Sequence, residues 1–272
     1  MASPDPVFGP WAEVGRALTD LIEVARKRAG DRIPVVGVAG PQGSGKTTLV
    51  KAFAGADPTV ATFSLDDVYL PAAYRELIAE AVHPLFVTRG PPGTHNLMQF
   101  DETLDELQAA DEASMIRLPG FDKVTDNPMP MAQRPIFRGR PSLILVDGWC
   151  LGATPQADAD LAAPINALEA DEDKDAVWRR EVNANLAGGY QESFARLDAV
   201  LYLKAPSFDV VADWRGQQEE GLLGRPLDAT DRTRIARFIA HFERITRSML
   251  AGGLRADVTV ELDAGRGVVG VR

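Results

Sequence analysis

The sequence has a single cysteine, no long apolar run and no excess of positive charge, and each absence excludes a class of protein. Cys150 alone rules out an internal disulfide and a metal site built from several thiolates. Because it directly follows an apolar run, we expect a buried, unreactive thiol rather than a reactive one. No stretch approaches the roughly 18 consecutive apolar residues that a membrane-spanning helix needs.

The formal net charge is -10 and the calculated pI is about 4.9. A molecule that is negative as a whole repels polyanions, which argues against nucleic acids and anionic membrane surfaces as partners. Phosphate groups would therefore have to be held by a local site. Residues 1–6 have neither the basic region nor the apolar core of a secretory leader, so we predict a cytoplasmic protein.

With 272 residues, 45% hydrophobic and 25% charged, the composition is that of an ordinary soluble protein. The length allows one large α/β domain or two small ones, and we predict one domain over residues 1–272. It would begin with an amphipathic helix within residues 1–30. At least five predicted strands alternate with helices, which predicts a doubly wound, mainly parallel sheet flanked by helices.

Residues 35–50 are an apolar run, a glycine-rich turn and the start of a helical pattern. From Gly40 they match G-x-x-x-x-G-K-S/T, whose inward-facing backbone amides surround phosphate oxygens, so ATP binding is predicted in place of a plain surface turn. Lys46 would reach the β- and γ-phosphates, and Thr47 would offer its hydroxyl to Mg²⁺. The predicted nucleotide-binding residues are Gly40, Gln42, Gly43, Ser44, Gly45, Lys46, Thr47 and Thr48.

A short second strand, residues 60–65, delivers Asp66 and Asp67 at its carboxyl end, the edge of a parallel sheet where ligands bind. Two adjacent acids are also compatible with a solvated turn. After a P-loop helix, however, one acid is well placed to orient Mg²⁺ or to take a proton from an acceptor hydroxyl. We prefer Asp66 for this role and place Asp67 second.

The loop of residues 83–96 is dense in proline and glycine, and such loops often carry binding groups. Arg89 and His95 are its candidates, because a guanidinium suits a carboxylate or a phosphate; a plain connector is the alternative. Residues 114–123 are predicted as a short strand that presents Lys123. Residues 125–140 have no clear periodicity and are predicted to be a mobile excursion.

Residues 141–149 are predicted as a buried parallel strand that ends in an acid, Asp147. Together with a P-loop, this is the Walker B arrangement, in which the aspartate holds Mg²⁺ directly or through water. Residues 178–194 have one continuous helical pattern. A helix over residues 207–220 carries Arg215, which is either a solvated charge or an arginine of a small helical lid at about residues 207–235.

A P-loop serves several kinds of protein, so the fold alone does not decide the function. We find no Asn/Thr-Lys-x-Asp element, which a GTPase would normally use to read guanine. An oligomeric ATPase would need a sensor arginine and a lid domain after the Walker B strand, for which little chain is left. The acid after the second strand and the late arginine favour a small-molecule kinase.

The chain resembles the P-loop D-glycerate 3-kinases, which are relatives of uridine kinase, pantothenate kinase and phosphoribulokinase. The matching segments are residues 37–49, 64–70, 89–95, 121–123, 146–152 and 182–186. The P-loop is generic, whereas Asp-Asp-x-Tyr at 66–69, Arg-Gly-x-x-Gly-x-His at 89–95 and Gly-Trp-x-Leu-Gly at 148–152 are more specific. The resemblance implies transfer of the ATP γ-phosphoryl group to D-glycerate.

The same resemblance implies roles for individual residues. Asp66 would be the base and Arg215 the lid arginine, which together with Lys46 of the P-loop pattern are the predicted catalytic groups. The P-loop and strand-end patterns themselves predict Thr47, Asp66 and Asp147 as the metal ligands. The acceptor site, for a small hydroxy acid, would consist of Asp67, Tyr69, Arg89, His95 and Lys123.

The chain departs from the resemblance at Gly120, where plant members tend to have an arginine. This leaves open a kinase of another acceptor, such as a nucleoside or a pantothenate-like acid, and a nonenzymatic ATP-binding regulator. A monomer or a homodimer is expected.

Overall fold

The structure is a computed structural model that describes residues 11–272. The predicted N-terminal helix runs from Ala12 to Ala29. Residues 1–10, which include the segment examined for a leader, lie outside the described residues.

The strands are Val35–Ala39 (β1), Val60–Ser64 (β2), Met115–Arg117 (β3), Phe121–Asp122 (β4), Asn127–Pro128 (β5), Ile136–Arg138 (β6), Leu143–Gly148 (β7), Ala199–Lys204 (β8), Val258–Leu262 (β9) and Val268–Val271 (β10). One six-stranded sheet has the order β10-β9-β8-β1-β7-β2. Its neighbouring strands are parallel except for β10, which is antiparallel to β9.

The helices are Ala12–Ala29 (α1), Lys46–Ala56 (α2), Ala72–Ala81 (α3), Leu97–Gln108 (α4), Ala167–Glu172 (α5), Val177–Ala187 (α6), Gly189–Phe194 (α7), Phe208–Leu223 (α8) and Ala229–Leu250 (α9). Short 3-10 helices add Leu65–Val68, Pro84–Val87, Met131–Gln133 and Asp158–Leu161. No helix among the described residues has both the length and the apolar composition needed to cross a bilayer.

Two apolar clusters cover the two faces of the sheet. Along β7, Ile144 and Val146 belong to one cluster, whereas Leu143 and Leu145 belong to the other. This alternation follows from the two-residue period of a strand, and both faces are covered by helices. Helices α1, α2 and α8 pack on one face, α4, α6 and α7 on the other, and α9 contributes to both. The predicted α/β fold with a mainly parallel sheet is confirmed.

The carboxyl ends of the central strands bring the candidate residues together. Strand β7 lies between β1 and β2, and Asp147 pairs in register with Val38 on one side and Ser64 on the other. The glycine-rich loop that follows β1 and the 3-10 helix that follows β2 therefore flank Asp147. Cys150, just beyond β7, is fully buried, as predicted, and burial raises the pKa of its thiol.

The structure differs from the sequence predictions in two less regular regions. Residues 125–140, predicted to be a mobile excursion without clear periodicity, contain short paired strands: β5 pairs antiparallel with β4, and β6 pairs antiparallel with β3. Strands of two or three residues are too short to show a periodicity. The helix predicted over residues 178–194 is two helices, since the backbone of Gly188 leaves the helical region at φ -92° and ψ -119°.

Candidate active site

The glycine-rich loop after β1 has the geometry of a phosphate-binding loop. Gly43 and Gly45 have φ values of 74° and 93°, in the left-handed region that favours glycine. A Cβ atom on Gly43 would lie 2.6 Å from Cβ of Trp214, and one on Gly45 would lie 2.2 Å from the ring of Trp11. Helix α2 begins immediately afterwards at Lys46, so its positive end faces the loop.

The other predicted loop residues differ in their surroundings. The hydroxyl of Ser44 and the side-chain oxygen of Gln42 are buried and have no hydrogen-bond partner within residues 11–272. Gly40 is packed so tightly that an added Cβ would lie 2.7 Å from the Ser44 hydroxyl. Thr48 is exposed on the first turn of α2. The loop therefore contains buried polar groups that the described part of the chain does not satisfy.

The carbonyl group of Gly43 is held by a residue from the other end of the chain. Arg266, in the turn between β9 and β10, donates from Nε to the Gly43 oxygen at 2.7 Å. Its guanidinium lies over the Trp214 ring at 4.9 Å, and Trp214 donates from Nε1 to the carbonyl of Ala264 at 2.8 Å. This turn thus ties the P-loop to α8. Sequence reasoning missed Arg266, because nothing in its local pattern points to Gly43.

Thr47 and Asp147 meet at the carboxyl edge of the sheet. Thr47 Oγ1 donates to Asp147 Oδ2 at 2.6 Å, which joins the P-loop to the end of β7. Burial raises the pKa of Asp147, and Lys46 and the Thr47 hydroxyl act against this shift. A hydroxyl beside a carboxylate fits Mg²⁺, which prefers oxygen ligands. The described residues contain no group of three acidic, histidine or cysteine side chains that could hold a metal ion.

Lys46 lies between the P-loop and these acids. Its Nζ donates to the carbonyl of Pro41 at 3.4 Å. Burial lowers the pKa of Lys46, whereas the carboxylates of Asp147 and Asp66 act to raise it. The ammonium group is therefore held by long-range attraction and one long hydrogen bond rather than by a close ion pair, which leaves donors available for phosphate oxygens.

Asp66 lies in the 3-10 helix Leu65–Val68, directly after β2. Its Oδ2 accepts from Lys123 Nζ at 2.7 Å and its Oδ1 from the Tyr69 hydroxyl at 2.8 Å. Burial acts to raise the pKa of Asp66, but Lys123 and Lys46 outweigh burial and hold it below its ordinary value. Asp66 is therefore a carboxylate at neutral pH, and both of its oxygens already accept a hydrogen bond.

Asp67 stabilises the turn at the start of the 3-10 helix. Its Oδ2 accepts from the backbone N–H of Ser64 at 2.8 Å, as part of a capping box at the start of the 3-10 helix. Burial raises the pKa of Asp67 to about 7, with smaller contributions from Asp147 and Asp66. These contacts indicate that Asp67 stabilises the turn that carries Asp66.

His95 is buried behind Tyr69, and the two rings stack at 4.6 Å. Its Nδ1 lies 2.6 Å from the hydroxyl of Tyr190, which also accepts from the N–H of Gly93. Burial lowers the pKa of His95 to about 3, so the imidazole is neutral at physiological pH. His95 was predicted as an acceptor-site residue, and its burial means that any contribution there would be that of a neutral imidazole.

Arg89 reaches the same region through aromatic contacts. Its guanidinium lies 5.9 Å from the ring centre of Phe121, and this ring contacts Tyr69 edge-on at 5.3 Å. Arg89 Nη1 also pairs with Oδ1 of Asp126. Through Phe121 and Tyr69, these contacts connect Arg89 to the region of the Asp66 carboxylate, with which Lys123 pairs.

Arg215 lies on α8. It pairs with Glu219 at 2.9 Å and lies over the ring of Phe238 at 5.6 Å. Burial lowers the pKa of Arg215, and the charges of Arg89 and Asp66 are close enough to act on it in opposite directions. Its Nε atom is buried without a hydrogen-bond partner in the described part of the chain.

The sequence relatives of the chain are kinases. It is 31% identical over 227 residues to the chloroplastic D-glycerate 3-kinase of Arabidopsis thaliana, a match that covers 79% of this chain and 46% of that protein. It is 28% identical over 221 residues to a protein of Schizosaccharomyces pombe named uncharacterized kinase mug58, covering 76% of this chain and 78% of that one. No protein-family model matches the chain.

A solved structure shows the same fold over nearly the whole chain. The D-glycerate 3-kinase of Cryptococcus neoformans superimposes with a TM-score of 0.74, covering 95% of this chain and 98% of that one at 23% identity. The chain has the fold of the P-loop kinases. D-glycerate 3-kinases are among its homologues, as the motifs at 66–69, 89–95 and 148–152 indicated. The P-loop kinase fold thus accounts for the positions of the P-loop and of Asp147.

Proposed function

We propose that the protein is an ATP-dependent kinase that converts D-glycerate and ATP to 3-phosphoglycerate and ADP. The observation that carries this proposal is the position of Asp66, an ionised carboxylate at the sheet edge beside the P-loop lysine Lys46. A carboxylate so placed can orient the hydroxyl of an acceptor toward a bound γ-phosphate. Homology to D-glycerate 3-kinases over most of the chain supports the choice of acceptor.

The P-loop would bind the donor. Its backbone amides and the positive end of α2 would face the phosphates of ATP, and Lys46 would contact the β- and γ-phosphates as a point charge. Thr47 and Asp147 would hold Mg²⁺, which neutralises charge on the phosphate oxygens when bound. The direct hydrogen bond between these two side chains supports their assignment as neighbouring ligands.

The chemical step is an in-line displacement. The 3-hydroxyl oxygen of D-glycerate forms a bond to the γ-phosphorus, the bond from that phosphorus to the β–γ bridging oxygen breaks, and ADP leaves with the electron pair. The hydroxyl proton passes to Asp66. Tyr69 and Lys123 hold the two oxygens of this carboxylate and thereby fix its orientation. Because Lys123 and Lys46 weaken Asp66 as a base, we assign it mainly to orienting the hydroxyl.

Arg215 would stabilise the charge on the transferring group. It lies on α8, within electrostatic reach of both Arg89 and Asp66. An arginine in this position can contact γ-phosphoryl oxygens as they gain charge, and closure of the lid would exclude water. The predicted lid, residues 207–235, contains α8 and the start of α9.

Arg89 and Lys123 give the acceptor region its positive charge. A guanidinium binds a carboxylate through parallel hydrogen bonds, which suits the carboxylate of a hydroxy acid. His95 would contribute as a neutral imidazole. A kinase of another acceptor remains the alternative, because Gly120 stands where an acceptor-site arginine is expected from the resemblance.

The first test measures ADP release in the presence of ATP and Mg²⁺ with D-glycerate, L-glycerate, uridine, pantothenate or no acceptor. The proposal requires release that depends on D-glycerate, with 3-phosphoglycerate identified as the product by phosphorus NMR. Stimulation by uridine or pantothenate alone would assign a different acceptor. ATP binding without stimulation by any acceptor would instead favour a regulator.

The second test replaces the P-loop lysine. We expect Lys46→Ala to lower turnover by about 10²- to 10³-fold or more, because a preorganised charge on the transferring phosphates is lost. Lys51→Ala is the matched control, since Lys51 is an exposed lysine on the same helix. Near-normal turnover of a folded Lys46→Ala protein would refute the mechanism.

We also propose a cytoplasmic location, a single domain and a monomeric or homodimeric state. The net charge of -10 supports a small-molecule substrate rather than a nucleic acid. Fluorescence microscopy of a tagged protein and light scattering of the purified protein test the location and the oligomeric state.

A further inference from the structure

A buried arginine outside the proposed catalytic groups lies close to the acceptor region. Arg75, on α3, is 1% exposed and donates to the carbonyls of Leu70 and Val87 at 3.2 and 2.6 Å. It also donates to both the carbonyl and the side chain of Asp126. A fully buried guanidinium with this many partners is fixed in position, and it therefore fixes the groups that it contacts.

Asp126 uses its two carboxylate oxygens for two different arginines. Oδ2 pairs with Arg75, and Oδ1 pairs with Arg89. Asp126 lies in the turn between β4 and β5 with a φ of 55°, a left-handed conformation that aspartate and asparagine adopt more readily than most residues. One carboxylate thus connects a buried, fixed arginine to a partly exposed one.

The backbone on the carboxyl side of Arg89 is also fixed. The carbonyl of Gly90 accepts from Trp149 Nε1 at 3.0 Å, and its N–H donates to the Thr94 hydroxyl at 2.9 Å. Any freedom of the Arg89 guanidinium therefore lies in its own side chain, which is 22% exposed. Asp126 is the charged group that limits this freedom.

We propose that Asp126 is a positioning residue for the acceptor site, which it reaches through Arg89. Arg75 anchors the Asp126 carboxylate, the carboxylate orients the Arg89 guanidinium, and the remaining Arg89 donors bind the carboxylate of the acceptor. This inference rests on the proposed function and adds to it the pair of residues that sets the affinity for the acid group of the substrate. Asp126 itself does not touch the acceptor.

The charges support this arrangement. Two arginines share one aspartate, so the cluster of Arg75, Arg89 and Asp126 keeps one net positive charge, and the side chain of Arg89 is the more exposed of the two cations. An oriented guanidinium loses less side-chain entropy when it binds an anion than a free one does. Removal of Asp126 would leave the charge of Arg89 unchanged, but the orientation of its guanidinium would no longer be fixed.

The test is a double-mutant cycle of Asp126→Ala and Arg89→Ala, read as the KM for D-glycerate. We expect Asp126→Ala to raise this KM by about 10- to 100-fold, the range for hydrogen bonds to charged groups, and to leave the KM for ATP unchanged. Because Asp126 acts through Arg89, the double variant should have the same KM as Arg89→Ala alone. Additive effects, or an unchanged KM in Asp126→Ala, would overturn the inference.

Two controls separate positioning from folding and from net charge. Asp126→Asn keeps an oxygen for Arg89 and a side chain that tolerates the left-handed backbone, so it should recover part of the affinity even if Asp126→Ala proves unstable. An Asp126→Asn KM as high as that of Arg89→Ala, in a protein with a normal thermal transition, would count against the inference. Asp158→Asn removes the same charge at a site that is 78% exposed and should leave the KM unchanged.

The wild-type protein distinguishes the two levels of the hypothesis. If it does not phosphorylate D-glycerate, the proposed function fails, and this inference fails with it. If it does, and if Asp126→Ala retains the wild-type KM, only the positioning role is wrong.

Discussion

Lys123 Nζ lies 2.7 Å from Asp66 Oδ2, although 57 residues separate the two along the chain. Lys46 adds a second positive charge within electrostatic reach of the same carboxylate. Asp66 is thereby kept ionised although its side chain is only 30% exposed. Asp66 would therefore contribute to the reaction through two charged oxygens in fixed positions, and not as a strong base.

Asp66→Asn should lower kcat by about 10²- to 10⁴-fold, because the group that orients and deprotonates the acceptor hydroxyl is removed. The affinity for ATP should change little, since the P-loop is intact. Steady-state kinetics together with nucleotide titration measure both quantities. A kcat within a few-fold of the wild type would remove Asp66 from the mechanism.

Lys123→Met should move the acidic limb of the pH profile of kcat/KM to higher pH. Lys123 favours the charged form of Asp66, so its loss raises the pKa of Asp66 and leaves less carboxylate at a given acidic pH. Because the pKa of Asp66 lies below its ordinary value of 3.8 in the wild type, kcat/KM is measured from pH 2.5 to 7, with Lys51→Met as an exposed-lysine control. An unshifted limb would mean that another group sets it.

Asp147→Asn should raise the Mg²⁺ concentration for half-maximal activity by about 10- to 100-fold or more, by comparison with the loss of groups that support metal ligands. The charge beside Thr47 Oγ1 is lost while the shape of the side chain is kept. Activity is titrated against Mg²⁺ at saturating ATP. Asp175→Asn, at an exposed position, is the control, and an unaltered Mg²⁺ requirement would exclude Asp147 as a ligand.

Arg215→Ala should lower kcat by about 10²-fold or more with smaller effects on both KM values, because a lid arginine acts chiefly on the transition state. Arg234→Ala is a close control, since Arg234 pairs with the same Glu219 but its side chain is 61% exposed. Equal losses in the two variants would indicate that the salt bridges of Glu219, and not a lid charge, are responsible.

Asp67→Asn should flatten the pH dependence of stability. The pKa of Asp67 is raised from 3.8 to about 7, so the native state binds more protons than the unfolded state between these values. The contribution of Asp67 to the free energy of unfolding therefore falls as the pH rises from about 4 to 7. Urea denaturation at pH 5 and pH 7.5 should show a smaller decrease in the variant. An identical decrease would contradict the assignment.

The sequence predicted the fold elements that carry the glycine-rich loop and Asp147. An apolar strand, a glycine loop and a second apolar strand ending in Asp147 are local patterns with few alternative explanations, and the sheet brings them together by register. The acceptor side depends on burial and on contacts between residues that are far apart in sequence. Local sequence patterns show neither. The sequence marks His95 as a candidate acceptor-site residue but does not show that burial lowers its pKa and keeps it neutral.

The hairpin of β4 and β5 could not be predicted from local sequence patterns either. Its strands have two residues each, so they carry no period, and Asp126 looks like an ordinary turn residue. The role that we propose for Asp126 depends on its contacts with Arg75 and Arg89, which lie 51 and 37 residues earlier in the chain. Gly188 likewise has helix-forming neighbours, and only the backbone geometry shows that the helix is interrupted there.

The contact between Arg266 and Gly43 has a consequence for how the protein is made. The two residues are 223 positions apart, so the P-loop leaves the ribosome long before the arginine that holds its carbonyl group. A nascent chain that ends ahead of Arg266 contains every residue of the phosphate-binding motif but lacks this support. We therefore expect full nucleotide affinity to be acquired only after the turn between β9 and β10 has emerged and packed onto Trp214.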